Sequence, residues 1–370
     1  MVFRFIRPDS EIAWRNGEIL KRFSKYKAII DNTGIARYLI AKSIPVKFSP
    51  ESSLEDLENL LRKKTEEFNE LLKEPVKELK SREVQDPCLL DLAKTIAIKY
   101  LDNCNFCERR CGISRNKEEK GFCLLTNKTY VSSAFLHMGE ESVLVPSGTI
   151  FFQGCNFACV FCQNYDISQA WKGKRDISEI SQEVNEKTLA RIADGLAEKG
   201  ALNINYVGGD PIPNIHTIIG SLKYQSHNIC QLWNSNFYCT RESLSLIINF
   251  MDFWLPDFKY GNNECAEKYS GVKNYYDVLT RNLKIIHDEG SGEIIIRHLV
   301  MPNHVECCSI PILEYIATEI PKCVVNIMGQ YRPEYHAYKY SEINRRPSSE
   351  EMLRVKAYAK DLGILYEPVS

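Results

Sequence analysis

The sequence predicts an α/β protein: a partial (β/α)6 barrel preceded by an N-terminal helical extension and a four-cysteine metal loop. Three observations carry that expectation. From about residue 149 onward, short apolar runs alternate with helical stretches six times, the pattern of a parallel sheet. The first 95 residues lack that alternation and read as helix. Between the two regions, Cys104, Cys107, Cys111 and Cys123 crowd into a short segment. The expected organisation is therefore a helical extension over 1–95, a metal-binding segment over 96–135, a barrel core over 136–335 and a C-terminal segment with a helix over 336–370.

In the extension, Ser52-Ser53-Leu54-Glu55 forms a capping box. Leu54, Leu57, Leu61, Phe68 and Leu72 then make one apolar stripe, and Pro75 interrupts or ends the helix. The many Glu and Lys residues between them are a solvated face. The six barrel strands are expected at 149–153, 203–207, 229–233, 253–258, 294–300 and 324–328. Asp176-Ile177-Ser178-Glu179 reads as a capped helix start after the first strand. Leu189, Ile192, Ala193 and Leu196 share a helix face that stops at Gly200. Ser348-Ser349-Glu350-Glu351 caps a last helix carrying Met352, Val355 and Leu362.

A chain of 370 residues can bury a sizeable core, and 44% hydrophobic with 26% charged residues is a soluble, globular balance. The net charge of −1 gives no global footprint for nucleic acid or an anionic membrane. The first fifty residues alone carry +6, ten Lys/Arg against four Asp/Glu, most simply as a solvated surface. Fourteen cysteines would suit a secreted disulfide scaffold. Here seven fall in metal-like clusters, no signal peptide opens the chain and no apolar run reaches membrane-spanning length. Reduced thiols in the cytoplasm are expected. Cys88, Cys230, Cys239, Cys265, Cys307, Cys308 and Cys323 show no ligand spacing and are expected mostly as small core residues.

The chemistry is concentrated in Cys155-Asn156-Phe157-Ala158-Cys159-Val160-Phe161-Cys162. A four-iron cube takes a thiolate on each iron, so a loop offering three leaves one iron open. Zinc sites more often use paired CxxC motifs, so half a zinc site or inert buried thiols fit this spacing less well. The loop follows the first barrel strand, at the end where such barrels carry their sites. Polar residues close the later strands as well. Gly208-Gly209-Asp210 lets backbone approach a ligand, with Asp210 adding charge or fixing the turn. Asn234 and Ser235 end the third strand; Asp257 and Lys259, two residues apart, can form an internal pair; Arg297 lies on the fifth. Asn326–Tyr331 can form a shelf, and His336 can approach the pocket mouth. The four thiols Cys104, Cys107, Cys111 and Cys123 can close a site around zinc or a single iron, or hold a second iron–sulfur cluster. Arg109, Arg110 and Arg115 crowd that loop, where they can offset thiolate charge, meet an acidic electron donor or be solvated.

Together these stretches resemble the radical S-adenosylmethionine (SAM) proteins, specifically the largely uncharacterised group similar to pyruvate formate-lyase-activating enzyme. The resemblance runs from about 100 to 365 and includes the four-cysteine prelude, Leu136-His137-Met138-Gly139-Glu140-Glu141, the CxxxCxxC loop, Trp254-Leu255-Pro256-Asp257-Phe258-Lys259-Tyr260 and Arg297-His298-Leu299-Val300. It implies that Cys155, Cys159 and Cys162 hold a [4Fe–4S] cluster whose open iron chelates SAM. It further implies reductive cleavage to a 5′-deoxyadenosyl radical that takes hydrogen from an unknown protein or small molecule. Phe161 would lie near the adenine, Gly208, Gly209 and Asp210 near the methionine amino group, Asn234 and Ser235 near the ribose, and Lys259 or Arg297 near carboxylate or substrate. A reduced ferredoxin or flavodoxin would supply the electron. Two other readings remain: a radical SAM methyltransferase with a mononuclear iron or zinc in the Cys104 loop, and an iron–sulfur electron carrier without SAM chemistry.

Overall fold

A computed structural model describes residues 7–168, 176–290 and 292–366. Its centre is one eight-stranded sheet: β1 (Thr129–His137), β2 (Ser147–Phe152), β3 (Gln182–Val184), β4 (Asn203–Gly208), β5 (Cys230–Ser235), β6 (Phe253–Pro256), β7 (Glu293–Leu299) and β8 (Val324–Met328). The spatial order is β3-β1-β2-β4-β5-β6-β7-β8. β2 and β4 through β8 run parallel, which gives the six-stranded half-barrel the alternation predicts. Helices Ile215–Leu222, Arg241–Ile247, Tyr275–Asp288 and Ile310–Glu319 connect successive strands, and such crossovers cover a parallel sheet with apolar faces. All six parallel strands lie within a residue or two of their expected positions.

Two strands are additions. β1 pairs antiparallel with β2, and β3 pairs antiparallel with β1. β1 straddles the end of the expected metal segment, and its pairing is interrupted by a register shift between Val131 and Ser133. The helix expected from Asp176 is also not formed: Ile177–Glu179 is a single 3-10 turn, capped by Asp176 accepting from the Ser178 backbone N–H at 2.9 Å. The chain leaves that turn because Gln182–Val184 is claimed by β1, and the long helix starts only at Glu186. The capping box expected at Ser52 is replaced by a simple N-cap one position later, at Ser53. Ser53 Oγ accepts from the Asp56 N–H at 3.1 Å and donates to the Asp56 carboxylate at 2.6 Å. Of the apolar stripe, Leu57, Leu61 and Phe68 are buried along Leu54–Leu71, whereas Leu54 itself is exposed. The predicted Ser348 box caps Ser349–Asp361 as written.

The N-terminal helices close the floor of the half-barrel, where the strands begin. Glu293, at the start of β7, accepts from the Lys25 and Tyr26 N–H groups at 2.8 and 2.9 Å. Asn203, at the start of β4, donates to Tyr26 Oη at 2.9 Å. Phe23 and Tyr26 pack their rings on Phe253 of β6. Asp252 accepts from the Arg37 N–H and the Gln231 N–H, each at 2.8 Å, so one carboxylate joins the extension to β5. Buried N–H groups left without an acceptor are costly. Asp252→Ala should therefore lower unfolding free energy by about 2–3 kcal/mol in urea titrations; an unchanged midpoint would show that this joint carries no stability.

Candidate active site at the strand C-termini

The opposite end of the sheet is built by the chain segments that follow each strand. After β2 the chain turns at Gly154 into the cysteine loop, and that turn is clasped by the end of β4. Gly209 N–H donates to Phe152 O at 2.8 Å and Asp210 N–H donates to Gly154 O at 2.9 Å. A Cβ on Gly208, where φ is +129°, would come within 2.2 Å of the Phe152 backbone. One on Gly209 would come within 2.0 Å of Gly154 O. Only glycine fits at both positions. Asp210 reaches across to β5: its carboxylate accepts from Ser235 Oγ at 3.1 Å, from the Asn236 N–H at 2.9 Å and from the Ile212 N–H at 2.9 Å. Burial pushes this carboxyl up to about 7 although these donors pull it down. Of the two roles open to Asp210 in the sequence, the structure shows it fixing the turn.

Cys155, Cys159 and Cys162 line one cavity of about 240 Å³ with Phe161, Gly208, Gly209, Asp210, Asn234, Ser235, Asp257, Lys259 and Arg297. Every site residue expected from the first loop and the strand ends thus meets here, including those from β5, β6 and β7. Met328 and Gln330 add the shelf beyond β8. Each cysteine sulfur has a polar neighbour, two of them on flanking helices and one in the loop itself. Ser270 Oγ donates to Cys159 Sγ at 2.9 Å, Ser168 Oγ lies 3.1 Å from Cys162 Sγ, and the Phe157 N–H donates to Cys155 Sγ at 3.3 Å. Burial raises all three thiols, Cys159 to about 12, with Lys259 working against the shift there. A bound cation is what would make such buried groups favourable as thiolates. Phe161 is buried edge-on between Tyr260 and Tyr331.

One expected contact is found and another is corrected. Lys259 is paired with Asp257, as their spacing allows. Arg297 is not a free cation: it bonds Glu140 and Glu141, its Glu141 contacts being 2.7 and 2.8 Å. Asn205 donates to Glu140 at 3.0 Å and Asn326 to Glu141 at 2.8 Å, so the bore beneath the cavity is filled by a buried ionic network. Asn234 lines the cavity and its Nδ2 has no protein partner, a donor open to a ligand.

The second cysteine set is loosely gathered. Burial raises the Cys107 thiol, and the sulfurs of Cys123, Cys104 and Cys111 add to that rise, but no three of these sulfurs lie within 4.8 Å of one another. The three arginines of this loop are already engaged. Arg115 is fully buried and holds Thr126 O and Pro213 O. Arg110 pairs with Glu108 and Glu242. Arg109 stacks on Phe122 and holds Asn156 O and Gly271 O, tying this loop to the CxxxCxxC loop. Arg109 and Arg115 are thus structural, whereas Arg110 keeps about half of its side chain in solvent, as the solvated reading allows. His336 reaches the site through its backbone, donating to Val160 O at 2.7 Å.

Among the cysteines expected to be core fillers, Cys88, Cys230, Cys239 and Cys323 are buried. Cys308 is buried as well, but Cys265 is only half-buried and Cys307 exposed, and the three sulfurs lie within 4.8 Å of one another. A separation of forty residues hides that convergence from any spacing rule.

A family model described as the radical SAM superfamily matches residues 149–316, from β2 through the helix before β8. The match shows a radical SAM domain over those residues, a little under half of the chain. It is 43% identical over 355 residues to a curated relative in Methanocaldococcus jannaschii, uncharacterized protein MJ0674, covering 94% of this chain and 100% of that protein. Among solved structures it is similar to SuiB from Streptococcus suis bound to S-adenosylmethionine, at 16% identity and a TM-score of 0.41, covering 57% of this chain and 47% of that one. It is also similar to a radical SAM methyltransferase from Sphaerobacter thermophilus, at 13% identity and a TM-score of 0.43, covering 60% of this chain and 65% of that one. The chain spans less than half the length of SuiB, and these scores carry no chemistry across. Among the described residues no helix is long and apolar enough to cross a membrane.

For a radical SAM chain the donor set fits its cofactors: three convergent thiols, a cavity beside them and an open amide donor at Asn234. Two tests address the frame that holds this set. Gly209→Ala should cost most of the iron retained after anaerobic reconstitution, whereas Gly195→Ala, with no atom within 4 Å of the added methyl, should retain it; equal iron in both would show the clasp to be dispensable. The second concerns pH. Burial alone would raise Glu140, but Arg297 and His137 hold its carboxyl down from 4.5 to about 2. Its stabilising contribution is then complete above pH 4.5 and lost as the pH falls toward 2. Urea midpoints should fall through that window in the wild type and fall less in Glu140→Gln; parallel acid slopes would refute the assignment.

Proposed function

We propose that this chain is a radical SAM enzyme in which Cys155, Cys159 and Cys162 hold a [4Fe–4S] cluster and the adjoining cavity binds S-adenosylmethionine. The observation that carries the reading is the meeting of these three thiols with the polar ends of β4, β5, β6 and β7 in one cavity at the strand C-termini. When bound, the reduced cluster and SAM supply a carbon-centred 5′-deoxyadenosyl radical able to take a hydrogen atom from a substrate. The chain supplies position and exclusion of water. Gly208 and Gly209 offer backbone at close range to the methionine end, and Asn234 and Ser235 offer hydrogen bonds to the ribose. Asp257 keeps Lys259 charged against burial, so that the ammonium can face a carboxylate. Phe161, wedged against Tyr260 and Tyr331, walls the adenine side.

Arg297 is better read as part of the ionic network in the bore beneath the cavity, since two carboxylates already hold it. In this reading Cys104, Cys107, Cys111 and Cys123 hold a second metal centre, and a reduced ferredoxin or flavodoxin supplies electrons. The substrate is a protein or small molecule that enters at the open rim, in the manner of activating enzymes.

The test is direct. Anaerobically reconstituted, dithionite-reduced protein incubated with SAM should release 5′-deoxyadenosine and methionine, and Cys159→Ala should lower that release at least a hundredfold. Absence of 5′-deoxyadenosine from the wild type with its iron in place would replace this reading with that of an electron carrier.

A further inference from the structure

We propose that Cys265, Cys307 and Cys308 form a binding site for one soft, thiophilic cation, zinc(II) being the simplest occupant, outside the cavity described above and sharing none of its residues. The three sulfurs lie within 4.8 Å of one another, and those of Cys307 and Cys308 are 3.9 Å apart. A tetrahedral zinc with bonds of about 2.3 Å holds its thiolates about 3.8 Å apart. Thiolates that share one ion stand at this separation, whereas those bound to different irons of a cube stand wider. Sulfur donors alone select soft metals over magnesium or calcium.

The chain builds this arrangement locally. Cys265 lies in the first turn of the helix Asn263–Ser270, and Asn262 caps that helix by accepting from the Cys265 N–H at 2.8 Å. The same Asn262 side chain donates to Cys307 O at 2.7 Å, locking the two segments together. Cys307 and Cys308 fall in a π-helical turn, Val305–Ser309, a rare widening that recurs at functional sites. Gly261 permits the approach, since a Cβ there would come within 2.6 Å of Cys308 O. His304 sits beside Cys265, with Nδ1 2.7 Å from Pro302 O and Nε2 3.1 Å from Tyr269 Oη. It is thereby oriented as an outer partner of the thiols, the role such groups play around bound metals. Cys308 is buried, Cys265 half-buried and Cys307 exposed. The site is thus anchored on one side and open to solvent on the other, where a water or an exogenous ligand would complete four-coordination.

Cobalt(II) is the probe, because its thiolate charge-transfer and tetrahedral d–d bands report ligand type and geometry. Cluster-reconstituted full-length protein, freed of loosely bound metal, is titrated with cobalt(II) alongside Cys307→Ala and the double variant Cys265→Ser/Cys307→Ala. The wild type should take up one equivalent more than the double variant, with a tetrahedral thiolate spectrum that zinc bleaches. Cys307→Ala alters an exposed side chain, so it should keep the wild-type fold by far-ultraviolet circular dichroism while losing that spectrum. Iron content and 5′-deoxyadenosine release should match the wild type in both variants. Equal cobalt uptake in all three proteins would overturn the proposal. So would a fall in iron in the variants, or a disulfide joining Cys265 to Cys307 or Cys308 in protein purified without oxygen.

Discussion

The structure depends on the contact between the end of β4 and the turn that launches the cysteine loop. Two glycines lie against backbone with no room for a single added carbon, and two N–H···O bonds close the seam. Asp210 then carries the constraint sideways, fixing the first turn after β5 with the same carboxylate. Three successive strand ends are thereby set relative to one another before any ligand arrives. Such preorganisation is what a site must have if its groups are to converge on one small volume.

The two ends of the half-barrel solve different problems. At the floor, the strand starts carry buried polar groups that the sheet alone leaves unsatisfied, and the N-terminal helices satisfy them with backbone N–H groups and the Tyr26 hydroxyl. Between floor and cavity, Glu140, Glu141 and Arg297 fill the bore, with Asn205 and Asn326 completing their hydrogen bonds. Buried charges are tolerable only when paired in this way. The network closes the bore from below and leaves the rim as the side from which the cavity is reached.

Much of this was legible in the residues. The six parallel strands follow from apolar runs of the right length, and Cys155, Cys159 and Cys162 follow from their spacing and their place just after a strand. Lys259 and Asp257 were paired by the period of two along an extended chain. What escaped was whatever depends on distant segments. β3 is three residues long and has no pattern of its own; it is a strand because β1 is beside it. The floor contacts use side-chain carboxylates against backbone donors, which leave no mark in hydrophobic periodicity. Arg297 looked free because its two carboxylate partners lie more than 150 residues earlier in the chain. The cluster of Cys265, Cys307 and Cys308 joins a helix start to a π-turn that only the crossover between β6 and β7 brings together.

One contact has a consequence beyond geometry. Ser270 Oγ donates to Cys159 Sγ, and Ser270 is the last residue of the helix Asn263–Ser270, whose end is also held by the Ala158 and Val160 N–H groups. A hydrogen bond to a ligating sulfur draws electron density from an iron–sulfur centre and makes its reduced state easier to reach. If these thiols hold the proposed cluster, its reduction potential would be governed in part by how firmly that one short helix is seated, and a shift of its register would be felt as a change in redox poise before it was seen as a change in shape.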